Sequence, residues 1–300
     1  MRLPVFLPYD IRHWAAGIVS ASSPHAARPV RGLAERFIYV SRYLFLLEMA
    51  NILATTYILR RLADFGAYAF NPAEFRRLFD LRSSRAYQVL HRLETQGVIR
   101  RLAQGRYVVV GLREADAIGE PFFLGTRLVE PSYASFWSAL HFYGWTEQAP
   151  RVIFLANTRG SGRRRVRPYE FWLVKFRPSR FFGYVLARRG VHEFPIAEPE
   201  KALLDSLFLP SYAGGMNEVA KALGEASGTL DRERLESYAR AMGSRSLASR
   251  LGHLLERTGV PSTALLGAAS AVYVKLDPSG PRRGRCDARW KVIDNLGAVA

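Results

Sequence analysis

The sequence predicts an α+β chain: an N-terminal winged helix-turn-helix, then a larger mixed α/β C-terminal domain with a helical tail. Three observations carry this reading. Residues 71–97 have apolar side chains at helical spacing and are followed by two short alternating runs. The stretch 151–197 holds apolar runs rich in β-branched and aromatic residues, broken by Gly, Pro and charge. Beyond 199 the helical period returns. At 300 residues the chain has room for about two domains of ~150 each. The expected division is an extension at 1–36, the DNA-binding module at 37–112, a linker at 113–124 and the C-terminal domain at 125–300.

Residues 1–35 contain the irregular ASSPHAARPV and suggest no job. Met49 is a plausible alternative start, which would make 1–48 an accessory extension or an upstream misassignment. Residues 37–65 are helical in composition and stop at Gly66, supplying the first helix of the module. Phe37 to Leu59 is the most apolar window, but Arg42, Glu48 and Asn51 within it favour a core helix over a membrane span.

Asn71 and Glu74 form a capping box, with Pro72 at the first helical position, where its missing N–H costs nothing. Phe75, Leu78 and Phe79 share one face, and a turn follows near Asp80. Ser83 or Ser84 is expected to cap the next helix. Ala86, Val89, Leu90 and Leu93 form its buried stripe. The opposite face carries Ser84, Gln88, His91 and Thr95, flanked by Arg85 and Arg92 on one side and Tyr87 on the other. Gly97 ends the helix. Val98–Arg101 and Arg106–Val110 then form a hairpin around Gly105. Eight arginines against three acidic residues make 72–110 strongly basic. A polar helix face beside a basic hairpin is the geometry that enters a major groove with a wing on the backbone.

In the C-terminal domain Pro131 and Ser132 read as the start of an apolar helix ending at Gly144. RVIFLAN and VRPYEFWLVKF are strands, and FGYVLARRGVHEFPIA supplies two more. Between the first two, TRGSGRRRVR reads as a hairpin tip carrying Arg163, Arg164, Arg165 and Arg167, a candidate second nucleic-acid contact. AEPEKALLDSLF is a helix, and three or four helices follow between 215 and 268. AVYVKLD and ARWKVIDN form a last strand pair, with a basic loop at 281–290 between them.

The formal net charge of +17 favours an anionic partner, most often nucleic acid. All but five of the 43 basic residues are arginine, whose planar fork suits phosphate and guanine edges, although GC-rich codon usage accounts for this equally well. One cysteine, Cys286, excludes an intrachain disulfide framework and a multi-cysteine zinc site, and fits a reducing cytoplasm. MRLPVFLP lacks an unbroken apolar run, so no secretory signal is expected.

Signs of catalysis are thin. The histidines at 13, 25, 91, 141, 192 and 253 never fall at metal-ligand spacing, and His141 reads as a packed helix residue. No phosphate-binding glycine motif or nucleophile elbow is present. Glu198, Glu200, Lys201 and Asp205 invite comparison with a metal-dependent nuclease. The required acid-x-Lys triplet is absent, however, because Lys201 directly follows Glu200 and Pro199 stands in the acidic position. A favourable placement of both glutamates near a helix N-terminus explains them better. Neither cofactor nor metal is expected.

Four motifs occur in a telling order: Gly105-Arg106-Tyr107 in the wing; Ser138, Ala139, Leu140 and Gly144; Thr146, Glu147, Gln148 and Pro150; and the run Pro199 to Asp205. Spanning about residues 50–210, they resemble the AbiEi-type antitoxins, the regulator halves of type IV toxin–antitoxin and abortive-infection systems. The resemblance implies a non-enzymatic repressor that binds inverted repeats in its own promoter. It also implies a nucleotidyltransferase-like toxin that the protein counteracts, often without a stable complex. Carried onto this chain, the DNA contacts are Arg82, Ser84, Arg85, Gln88, His91 and Arg92 on the reading helix, with Arg101, Gln104 and Arg106 on the wing. The competing readings are a stand-alone winged-helix regulator whose second domain binds a ligand or protein, and a nucleic-acid-processing enzyme.

Overall fold

The computed structural model describes residues 33–110, 119–148, 151–259 and 262–296, with side chains from residue 44. The extension expected at 1–36 therefore lies almost wholly outside the described residues, as do 113–118 of the expected linker. The fold is mixed α+β, with helices and three sheets. The chain divides into two units at Arg61/Leu62. Helix α1, Leu33–Asp64, crosses that boundary and ends at Gly66, whose φ of +61° suits a residue without Cβ. Among the described residues no helix is long and apolar enough to cross a membrane.

Strand β1 (Ala69–Phe70) leads into α2 (Pro72–Phe79) and α3 (Ser83–Thr95), then β2 (Ile99–Ala103) and β3 (Arg106–Val109). The three strands form an antiparallel sheet in the order β1-β3-β2. The capping box is present: Asn71 Oδ1 accepts from the Ala73 and Glu74 amides, and Glu74 Oε2 accepts from the Asn71 amide. Neither serine caps α3. Arg82 holds that position in extended backbone without a side-chain cap, because Asp80 turns the chain in the left-handed region and the helix starts at once.

The C-terminal part is built on a six-stranded mixed sheet of order β6-β7-β5-β4-β9-β8. Its strands are β4 (Ser132–Ala134), β5 (Val152–Asn157), β6 (Gly162–Val166), β7 (Tyr169–Lys175), β8 (Tyr184–Arg189) and β9 (His192–Ala197). Helix α4, Pro121–Leu128, begins inside the span expected as linker, because Phe122, Phe123 and Leu124 are buried in the core. It approaches the sheet closely at Gly125, where a Cβ would lie 2.7 Å from the Phe171 ring. The opposite face is covered by α5 (Phe136–Phe142) and α6 (Pro199–Phe208), the latter joined to the sheet through Tyr133.

Two expectations fail here for one reason, pairing across the sheet. Residues 132–134 are a strand rather than a helix start: Ser132, Tyr133 and Ala134 pair with Asn157, Ala156 and Leu155 of β5, and Ala134 with Ile196 of β9. The helix starts only at Phe136, which has a φ of +55°. Likewise Arg163, Arg164 and Arg165 are not a hairpin tip. They lie in edge strand β6, opposite Trp172, Phe171 and Glu170, and Arg167 alone stands at the turn.

Helices α7 (Met216–Ala226), α8 (Arg232–Ala241) and α9 (Arg245–Arg257) follow. A small sheet of β10 (Val274–Lys275), β11 (Arg285–Asp287) and β12 (Val292–Asp294) closes the chain in the order β10-β12-β11. The expected basic loop at 281–290 thus contains a strand, since Cys286 pairs with Ile293. Trp290, fully buried, fills the space over Gly252 of α9.

Candidate nucleic-acid interface

Helix α3 separates its residues by environment. Ala86, Val89, Leu90 and Leu93 are buried against α2 and the small sheet, which fixes the rotation of the helix. That rotation turns Ser84, Arg85, Gln88, His91 and Thr95 outward, with Tyr87 57% exposed beside them. Arg85 Nη1 donates to Gln88 Oε1 at 3.2 Å, so a planar cation and an amide are held side by side at the start of the face. Arg and Gln are the side chains that grip guanine and adenine edges in pairs of bonds. Arg82 is exposed at the helix start, whereas Arg92 is half-buried.

On the hairpin, Arg101 and Gln104 are exposed. Arg106 is half-buried and already paired: Nη2 donates to Glu130 Oε2 at 2.8 Å, and Arg127 Nη1 reaches the other oxygen at 3.2 Å. Arg100, not among the expected DNA contacts, donates from Nη1 to the Arg167 carbonyl at 3.3 Å. This bond ties β2 to the turn between β6 and β7. Beyond that turn Arg163 and Arg165 flank Glu170 at 3.6 and 3.8 Å, and the Arg163 guanidinium lies 4.3 Å from the Trp172 ring centre. Arg163, Arg164 and Arg165 are all exposed. With one carboxylate among them, β6 presents an uncompensated basic edge.

The acidic group weighed for catalysis is interior. Lys201 and Asp205, one turn apart on α6, form a fully buried ion pair. Tyr133 and Ser135 donate to Asp205 Oδ2 at 3.0 and 2.7 Å, and Lys201 Nζ also reaches the Tyr133 hydroxyl at 3.0 Å. Burial raises the Asp205 carboxyl above its ordinary range despite Lys201 and the two hydroxyls, and burial beside that carboxylate pushes the Tyr133 phenol well up. Glu200, also buried, accepts the Asp231 amide at 2.8 Å and caps the approach to α8. Glu198 accepts from the Tyr238 hydroxyl at 2.6 Å, a bond that pushes this phenol up to about 12. These contacts join α6 to β4 and α8, which no spacing argument reveals. His141 is exposed rather than packed, since the buried side of the short α5 is Phe136, Ser138, Ala139 and Leu140. Among the described residues no group of three or more His, Cys, Asp or Glu is placed to hold a metal ion.

No protein-family model matches the chain, and no curated protein matches its sequence. Among solved structures the chain is similar to the RV2827C protein from Mycobacterium tuberculosis, with a TM-score of 0.50 and 14% sequence identity over 80% of this chain and 92% of that one. At that identity the likeness concerns the fold alone.

Proposed function

We propose that the protein is a sequence-specific DNA-binding autorepressor whose residues 37–112 form a winged helix-turn-helix, with α3 as reading helix and β2–β3 as wing. The observation that carries the reading is the exposed row Ser84, Arg85, Gln88 and His91, set opposite a fully apolar buried stripe on the same helix. Arg85 and Gln88 read base edges, while Arg82, Ser84, Arg101 and Gln104 hold phosphate. Because Glu130 occupies Arg106, the wing's phosphate contacts rest chiefly on Arg101. The exposed arginines of β6, linked to β2 through Arg100, extend the basic track beyond the wing.

The antitoxin role, directed against a nucleotidyltransferase-like toxin, rests on the motif resemblance. Co-expression with a nucleotidyltransferase-like neighbouring gene tests it: rescue of growth supports the role, and unrelieved toxicity removes it. DNA reading is tested by gel shift and footprinting of the protein on its own upstream region at two salt concentrations. Arg85→Ala and Gln88→Ala are expected to cost about 1–3 kcal/mol at the matched base and relax specificity there. Arg101→Ala should weaken all sequences alike and flatten the salt dependence. Unchanged footprints for Arg85→Ala and Gln88→Ala would remove α3 from the interface. A second reading, regulation by a small ligand, is favoured by one observation, the cleft beside α2.

A further inference from the structure

A cleft of about 460 Å³ opens between α2 and β3 on one side and the α4–β4 connection on the other. Its size lies within the range of small-molecule sites, and its exposed wall is divided about evenly between polar and apolar surface. Leu62, Phe70 and Phe75 are buried behind the cleft, half-buried Leu78 gives its apolar wall, and Phe65 stands at the mouth, 59% exposed. Arg77, Arg106 and Arg127 bring three guanidiniums to the polar side.

The charges there do not balance. Glu130 serves both Arg106 and Arg127, and the other lining carboxylate, Glu74, is committed to the Asn71 amide in the capping box. Arg77 is exposed and has no ion-pair partner among the described residues. Arg127 is already oriented, its guanidinium lying 5.3 Å from the Phe123 ring centre, and its Nε is buried without a hydrogen-bond partner. An acidic head group would give Arg77 the acceptor it lacks and share the Arg106 and Arg127 guanidiniums with Glu130, while an apolar body would cover Phe65 and Leu78. A cation would meet three arginines against two carboxylates that are already engaged, and a purely polar anion would leave Phe65 and Leu78 uncovered.

We infer that this cleft binds an amphipathic organic monoanion, a carboxylate or sulfonate carried on a short alkyl or aromatic body. Binding at this place joins α2, which packs against α3, to the sheet domain through Arg127 and Glu130. The binding claim is independent of DNA reading; a ligand effect on DNA affinity rests on that reading as well.

The test uses the full chain and anilinonaphthalene sulfonate as fluorescent probe. Enhanced fluorescence is expected, displaced by octanoate but not by octylamine. Arg77→Glu should weaken probe and octanoate binding about tenfold or more, because a charge-assisted contact becomes a like-charge repulsion. Arg127→Gln should act in the same direction. Arg77→Glu alters an exposed, unpaired side chain and carries the test even if Arg127→Gln unfolds the protein. Leu53→Gln, in the exposed apolar stretch of α1, should leave both affinities unchanged. Absent enhancement, equal displacement by octanoate and octylamine, affinities unaltered by Arg77→Glu, or a loss confined to Leu53→Gln would each overturn the inference. DNA binding plays no part in these readouts, so failure here is distinguishable from failure of the repressor reading.

Discussion

Helices α2 and α3 are set by neighbours a few residues away, whereas the sheet domain is centred on contacts between distant segments. In α2 the capping box closes over three residues, and the buried stripe of α3 repeats at three and four. In the sheet domain Lys201 meets Tyr133 68 positions away, and Ser135 meets Asp205 across 70. The difference decides what each region's charges do. Local contacts leave a whole polar face of α3 free to meet a partner. The charged residues along α6 are consumed in joining it to β4 and α8, so the run Pro199 to Asp205 works as architecture in this fold.

The sharpest way to break this comparison is to remove one partner of the buried pair. Lys201→Met leaves Asp205 in the core without its counter-charge and should cost about 3–5 kcal/mol in denaturant unfolding. The double variant Lys201→Met/Asp205→Leu should recover most of that loss, since a packed apolar pair often replaces a buried ion pair without penalty. If Lys201→Met unfolds like the parent, the pair is not the joint between α6 and β4 described above.

A second long-range joint gives a smaller effect. A methyl group on Gly252 would lie 2.2 Å from the Trp290 ring. Gly252→Ala should therefore force the indole out of place and cost about 1–3 kcal/mol by overpacking. Intrinsic helix preference alone would make the same change stabilising. The sign of the change in melting temperature separates the two.

Acidification probes the same region. Burial tends to raise the Asp287 carboxyl, but His253 at 2.7 Å and the Arg289 and Trp290 amides outweigh it and hold it below its ordinary value. A carboxyl held low stabilises the fold above its unfolded-state pKa, near ~3.9, and loses that contribution as pH falls through the folded value. Asp287→Asn should thus melt below the parent at neutral pH, with the gap closing once the pH drops below about 4. A gap that persists in acid would mean that packing, not ionisation, is lost in the variant.

Periodicity carries no trace of these long-range joints. The buried stripe of α3, the capping box, the hairpin and strands β5, β7, β8 and β9 follow from patterns a few residues long, and they occur where spacing predicts them. Pro131 and Ser132 carry helix-start chemistry, and only pairing with β5 and β9 makes Ser132–Ala134 a strand. The arginines of β6 look like a solvated tip until the register with Trp172 and Glu170 is known. Arg106 reads as a wing contact in sequence, and Glu130, 24 residues on, is what turns it toward the cleft. Arg100 carries no sequence signal of its own; its role comes from the Arg167 carbonyl, 67 positions away. In each case the deciding partner lies beyond the reach of a local pattern.

The smallest effect tests the local half of the comparison. Asn71→Ala removes an acceptor for the Ala73 and Glu74 amides at the start of α2 and leaves every contact of the sheet domain in place. Its cost should be about 1 kcal/mol, the usual worth of such a cap. Because the contacts of α2 are local, faster amide exchange should be confined to α2 and its junction with α3, while amides around Tyr133, Ser135 and Asp205 keep their protection. If α3 reads DNA as proposed, the same variant should weaken matched and mismatched sites by equal factors, since it loosens the support of α3 without touching Arg85 or Gln88. An Asn71→Ala protein that changed which base is preferred would show that α2 takes part in reading, and the division between a free face on α3 and a supporting α2 would have to be redrawn.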